Sequence, residues 1–282
     1  MIVVGTDGSV NSRAALEWAA DDAFRMREPL RIVHAVDRSP YQIRKFPDDT
    51  FLDVLQREGQ RILREAEELV RERQPTVEVT TEDIEGAPGG VLREQAKDAT
   101  EIVVGSQGLG GFARALLGSV SMHVAGHVHC PVVVVRGKQR PVYLEVVAGV
   151  DDSPQCEPAL AYAFEQAKLR GSTLRVVHAW QLPVHAFAPE LSSYDMDEVR
   201  TAQHQIVRDR VKIFSGDHPE VKVVEDVQSA HPVEALIDAS GRADLLVVGS
   251  HGRGSVGSML LGSVSRGVLC HAHCPVAVVR AQ

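Results

Sequence analysis

The chain has 282 residues, 44% of them apolar and 24% charged, enough to build two separate cores, and it carries a net charge of −8 at neutral pH. Residues 1–140 hold 18 basic and 21 acidic side chains, and residues 141–282 hold 12 and 17. Neither half can grip nucleic acid non-specifically, which needs clustered Lys and Arg to displace counterions, and no apolar run approaches membrane-spanning length.

Met1 leads directly into "IVVGTDGS" without a basic segment, so no secretory signal is predicted. The four cysteines lack disulfide or CxxC spacing; Cys130 and Cys274, each just before an apolar run, read as small buried hydrophobes. These features predict a cytoplasmic protein with no membrane and no nucleic-acid partner.

Taken in chain order, "MIVVGTD" is a short continuous apolar run, a buried strand that ends in a turn. "SRAALEWAADDAFRM" places Ala14, Ala15 or Leu16, Trp18, Ala19 and Phe24 near one face of a helix. Pro29 breaks before a second strand, "LRIVHAV". A long helix, "TFLDVLQREGQRILREAEELVRER", carries Leu52, Leu55, Ile62, Leu69 and Val70 as its stripe, with a solvated face of i, i+4 ion pairs. "TVEVTTEDI" alternates, as a strand nearer an edge does. "PGGVLREQAKD" reads as a short helix and "TEIVVGS" as a strand. A glycine-rich stretch follows, then a helix to about Gly126 and a last strand, "PVVVVRG".

The same order then repeats. "VVGSQGLGGFARALLGSVS" (Val103 to Ser121) returns 144 residues on as "VVGSHGRGSVGSMLLGSVS" (Val247 to Ser265), with twelve of nineteen positions identical. The offset also pairs Gly5 with Gly149, Asp7 with Asp151, His34 with His178 and Pro131 with Pro275, while the stretch from Ala87 to Gly105 drifts between the copies. Two copies of this length are a tandem pair of ordinary domains. The predicted boundaries are 1–137, a short linker at 138–143, and 144–282. Val- and Ile-rich strands with helical crossovers predict an α/β fold. The expectation is two tandem doubly wound, Rossmann-like domains, each with a five-stranded parallel sheet flanked by helices. Such a short linker predicts that the halves touch, and the last strands, "VVVVRG" and "VAVVRA", are apolar edges that would aggregate if left unpaired. An intramolecular pairing of domains is therefore expected, with a homodimer left open.

In a doubly wound sheet, ligands collect beyond the carboxyl ends of the strands at the switch point. Asp7 and Asp151 fall just past a first strand there, and Gly105 and Gly249 just past a fourth. Gly105, Gly108, Gly110 and Gly111 let backbone amides turn toward a ligand. Gly118 and Ser119 place small residues and free donors at the next helix, so the rim suits an anion such as a phosphate chain. The Walker pattern GxxxxGK[ST] is absent. GxGxxG is present as Gly252, Gly254 and Gly257 (Gly108, Gly110 and Ala113 in copy one), but it follows the fourth strand and lacks the acidic residue downstream. A flexible loop or close packing remains the plain alternative for these glycines.

A third pattern fits. Gly105-x2-Gly108-x9-Gly118-Ser119 and Gly249-x2-Gly252-x9-Gly262-Ser263 both match G-x2-G-x9-G-[ST]. With an aspartate after the first strand, "VHA" at Val33 to Ala35 and Val177 to Ala179, and the "HCPV" endings, the chain resembles a tandem member of the ATP-binding branch of the universal stress protein family. The resemblance implies that Asp7 and Asp151 contact the nucleoside and that the backbone at Ala35 and Ala179 packs on adenine. It also implies a triphosphate on Gly105, Gly108, Gly118, Ser119 and Ser121 in copy one, and on Gly249, Gly252, Gly262, Ser263 and Ser265 in copy two. Copy two carries His251 and Arg253 where copy one has Gln107 and Leu109; Arg253 would add attraction for the phosphates, and Asp152, in place of Gly8, would add negative charge.

"HVHC" and "HAHC" (His127 to Cys130, His271 to Cys274) look like metal ligands, but their place between a helix end and a buried strand reads as a turn, and no metal site is expected. His34 and His178 end strands without an apparent nucleophile, and Trp18 reads as core. Around the glycines there is no carboxylate cluster for Mg²⁺. The expected function is therefore an ATP-binding stress-response regulator, ATP arriving with or without Mg²⁺, one adenine nucleotide per domain, with occupancy modulating conformation or partner choice. A slow ATP hydrolase and a cyclic-nucleotide binder on the same fold are the alternatives; no catalytic residue is assigned.

Overall fold

The computed structural model describes residues 1–37, 49–109, 117–137, 141–181, 195–252 and 261–281. Within residues 49–53 only the backbone is considered. The chain divides into two compact units, Met1–Arg140 and Pro141–Ala281.

Unit 1 runs β1 (Ile2–Gly5), α1 (Val10–Met26), β2 (Leu30–Val36), α2 (Asp49–Arg73), β3 (Val79–Glu85), α3 (Pro88–Gln95), β4 (Glu101–Gly105), α4 (Ser119–His127) and β5 (Val132–Val135). Its strands lie in the order β3-β2-β1-β4-β5 and every described pair is parallel. The order reverses between β1 and β4, which is the switch point of a doubly wound sheet. Helices α1 and α2 pack together over one face and α3 and α4 over the other.

Unit 2 repeats this with β6 (Glu145–Gly149), α5 (Glu157–Arg170), β7 (Thr173–Trp180), α6 (Met196–Ser215), β8 (Val223–Ser229), α7 (Pro232–Ser240), β9 (Leu245–Gly249), α8 (Ser263–His271) and β10 (Val276–Val279). Its order is β8-β7-β6-β9-β10, again parallel. The expected α/β fold is thus present twice. Central strands such as β1, β4 and β9 are buried on both faces, which explains their continuous apolar runs.

The helix faces differ in detail from the sequence expectation. On α1 the buried row is Ser12, Ala15, Leu16, Ala19, Ala20 and Ala23, an unbroken i, i+3, i+4, i+7 series. Phe24, expected inward, is 53% exposed, and Trp18 is only half-buried. A row of small alanines lets α1 approach the sheet closely, and weighting by side-chain size rotates the predicted face away from it. On α2, Ile62, Leu63, Ala66 and Val70 face inward while Leu69 is half-buried; the side chain of Leu52 lies outside the described residues. The solvated face carries the expected ion pairs, Arg61 with Glu58 and Glu65 and Arg71 with Glu67 at 2.6 Å. None of the described helices is long and apolar enough to cross a membrane.

Candidate functional site

At the switch point of unit 1 the chain leaves β1 through Thr6 and Asp7 and leaves β4 through Ser106, Gln107 and Gly108. The gap between these two exits is a cavity of about 310 Å³. Asp7, Ala35, Gly105, Gly108, Gly118, Ser119 and Ser121, the copy-one residues singled out from the sequence, all line it. Gly110 and Gly111 lie outside the described residues.

Asp7 ties the two exits together. One carboxylate oxygen accepts the Ser9 amide at 3.0 Å and the other accepts the Leu109 amide at 2.8 Å. Burial alone would raise the carboxyl's pKa, but bonds from Ser9, Leu109 and Ser12 together outweigh it and hold Asp7 below the usual carboxylate range. Gly108 is required beneath this carboxylate, because a Cβ there would collide with Asp7 Oδ2.

The glycines do different jobs. Gly105 was expected to free an amide for a ligand, yet its missing side chain admits the backbone of α1: a Cβ would stand 2.7 Å from the Asn11 carbonyl carbon and 2.9 Å from Ser12 N. Gly118 caps α4 with no side-chain bond to the helix amides, and its own amide donates to Ser106 O at 2.7 Å. The first N–H groups of α4 therefore point to the cavity without an internal acceptor. The Ser121 hydroxyl donates to Gly105 O at 2.7 Å, which holds α4 onto β4 and leaves that oxygen able only to accept from a ligand. Ser119 is exposed at the rim.

Ala35 occupies the far wall. Alternate residues of a strand present their amide and carbonyl to the same side. Val33 O accepts from Thr6 on the β1 side at 2.9 Å, and Val36 O accepts from Gly86 on the β3 side at 3.0 Å. Ala35 therefore presents its N–H and C=O on the β1 side, beyond the point where β1 has turned away into Asp7. Val33, Pro88 and Leu92 complete an apolar end beside it. The sequence reading cites Val33 only within the "VHA" motif, and it misses Pro88 and Leu92 by treating the segment after Ala87 as drifting. The signal was present, since Pro88 and Leu92 recur at the repeat offset as Pro232 and Leu236.

Unit 2 has the same framework. Asp151 accepts the Ser153 amide at 3.0 Å and its hydroxyl at 2.5 Å, and a Cβ on Gly252 would lie 2.5 Å from Asp151 Oδ2. Gly262 caps α8 and donates to Ser250 O at 2.8 Å, while the Ser265 hydroxyl donates to Gly249 O at 2.6 Å. Ser263 is exposed at the start of α8. Val150 bonds Val177 O at 3.0 Å, placing Ala179 at the same step as Ala35. Arg253, Gly254 and Gly257 lie outside the described residues. Asp152 stands exposed, with its carbonyl bound by Arg210 at 2.8 Å.

The remaining candidates are structurally occupied. His34 bonds Asp83 at 2.8 Å, and His178 is buried between Val150 O and Gln203. His127 bonds the His123 carbonyl at 2.8 Å. Among the described residues no cluster of three or more His, Cys, Asp or Glu could hold a metal. All four cysteines are free thiols; Cys274 is buried as expected, whereas Cys130 is partly exposed. Burial, then the charge of Glu101, pushes the Cys130 thiol up to about 12.

The chain matches the universal stress protein family model twice, over residues 1–136 and 143–280. Universal stress protein Rv2005c of Mycobacterium tuberculosis is 36% identical over 287 residues, spanning 99% of this chain and 96% of the relative. Universal stress protein Rv2623 of the same organism is 33% identical over 289 residues, with the same coverage. A crystal structure of a universal stress protein from Archaeoglobus fulgidus shares the fold with a TM-score of 0.73 at 24% identity, covering 99% of this chain and 96% of that one. Two copies of the family's domain, in one chain and in register with each other, make this protein a tandem member of the universal stress protein family.

Proposed function

We propose that each unit binds one adenine nucleotide, ATP in the first instance, and that occupancy acts as a signal rather than fuelling turnover. The observation that carries this reading is the cavity of unit 1, which joins an apolar end with a backbone donor–acceptor pair to a polar end rich in amides. A purine fits the first end: Val33, Pro88 and Leu92 offer apolar surface, and the Ala35 amide and carbonyl offer the paired contacts of a base edge. A phosphate chain fits the second, where the uncapped amides of α4 favour an anion. The cavity lies at the low end of ligand-pocket volumes, roughly 300–1,000 Å³, as suits a ligand whose tail extends to the rim.

Two features support binding without efficient hydrolysis. Asp7, the carboxylate at the cavity, already accepts two backbone amides, and no metal-holding cluster occurs among the described residues. Any Mg²⁺ would arrive on the phosphates. ATP at ~100 times its dissociation constant should raise stability by roughly 2.7 kcal/mol. Phosphate release should stay orders of magnitude below the ~10 per second of an ordinary enzyme. Thermal melting and a phosphate-release assay on the same nucleotide-stripped sample test this. No ATP-dependent shift would refute binding, and turnover above roughly one per second, lost in Asp7→Ala/Asp151→Ala, would make the protein an ATPase. A larger shift with 3′,5′-cyclic AMP than with ATP would favour the cyclic-nucleotide alternative.

A further inference from the structure

The two units pack the same helix pair with knob and hole exchanged. In unit 1, Gly89 in the first turn of α3 makes room for His123 of α4; a Cβ on Gly89 would lie 2.7 Å from His123 Cδ2. At the repeat offset, unit 2 has Val233 in α7 and Gly267 in α8, and a Cβ on Gly267 would lie 2.8 and 2.9 Å from the Val233 methyls. Both contacts are filled, as close packing demands. One is filled by an aliphatic side chain, the other by an imidazole.

The surroundings of His123 discourage a proton. Its ring stacks on His127, with centroids 4.3 Å apart and planes at 18°, so a proton on each would set two like charges face to face. From α3, Arg93 adds positive charge, while Glu94 on the same helix is engaged by Lys97 at 2.6 Å. β5, the strand beneath α4, contributes only valines, and His129 beyond the helix end is exposed. Burial first, then His127 and Arg93, hold His123 below the usual imidazole range. The contact lies on the two helices that also supply cavity wall: Pro88 and Leu92, which flank Gly89 along α3, and Ser119 to Ser121, which open α4, line the cavity.

We propose that His123 makes the ligand pocket of unit 1 acid-sensitive, protonation of His123 beside the His127 ring forcing α3 from α4, while the aliphatic Val233–Gly267 contact of unit 2 holds no such group; the imidazole nearest to it, His231, caps α7 by accepting the Val233 amide at 3.3 Å. The ligand half of this proposal rests on the nucleotide reading; the helix-pair half does not. The packed state holds its proton less tightly than a free imidazole. Packing is therefore complete above neutral pH and weakens as pH falls from about 6.5 toward the packed value.

Hydrogen exchange on the full chain without nucleotide, at pH 7.5 and 5.5 and corrected for intrinsic rates, tests the helix pair. Protection in α3 and α4 should fall about threefold or more, while α7 and α8 stay constant in a His231→Asn background, which keeps a cap on α7 that does not titrate. His123→Gln should abolish the difference, and so should Gly89→Val/His123→Gly, which copies the unit 2 contact and decides the matter should the first variant misfold. Equal responses in both helix pairs, or a response that survives these substitutions, would overturn the proposal. Titration with ATP, followed at the amides of Gly108 and Ser119 against those of Gly252 and Ser263, tests the ligand. The ratio of the two affinities cancels ATP's own protonation and, in a His251→Gln background that removes the imidazole beside Gly252, should shift toward unit 2 at pH 5.5; an unchanged ratio would overturn the ligand half. A chain that binds no ATP at pH 7.5 yet shows the exchange difference would overturn the nucleotide reading and the ligand half, and support the helix-pair half.

Discussion

At the scale of single residues, the glycines of one motif separate into two kinds. Gly105 serves packing, because α1 backbone lies where its Cβ would be, whereas Gly118 sits in the looser position of a helix cap, with 3.3 Å to Ser106 O. Gly105→Ala should therefore cost about 1–3 kcal/mol of stability through overpacking. Gly118→Ala should cost under about 1 kcal/mol and act mainly on ATP affinity. Melting curves and titrations of the two variants side by side check this; equal losses of stability would contradict it. Asp7 carries a second expectation. Its folded pKa lies below the ordinary value of 3.8, so its contribution is fully present above that value and is lost as pH falls through the depressed one. Asp7→Asn should lower stability at pH 7 by about 1–3 kcal/mol, one amide losing its charged acceptor, and the gap should narrow below about pH 4. A gap constant down to pH 2 would show that the carboxylate does not carry the loop. The sequence carried the identity of these residues but not this division. Spacing records where a side chain is missing, and only the fold shows what fills the space.

The elements show the same limit at their ends. The succession of strands and helices along the chain and the doubly wound class of the sheet followed from alternating apolar runs, since parallel strands need helical crossovers and the crossover hand leaves few topologies. Helix faces were less legible: α1 buries alanines, so its inward face carries little hydrophobic contrast. Between the units, the cap of this first helix differs tellingly. Arg27 ends α1 in the left-handed region with φ 56°, and its counterpart Gly171 ends α5 with φ 60°. An arginine pays for that conformation and glycine does not. Arg27→Gly should stabilise unit 1 by about 0.5–1 kcal/mol and Gly171→Arg should destabilise unit 2 by a similar amount, both read from thermal melting. A loss of stability in Arg27→Gly would mean that the arginine side chain makes a contact worth more than the strain.

For the whole molecule, duplication made the site legible: a single glycine-rich loop is ambiguous, but two copies in register mark which small residues are kept. It also misled, because Pro88 and Leu92 were passed over in a segment that drifts around them. The proposed function requires this tandem universal stress protein to hold one adenine nucleotide in each unit. Isothermal titration of the nucleotide-stripped full chain with ATP counts the sites. Saturation is expected at two equivalents, reduced to one by Gly252→Val, which sets a branched side chain against Asp151. Saturation at one equivalent that Gly252→Val leaves untouched, or no heat of binding at all, would contradict it.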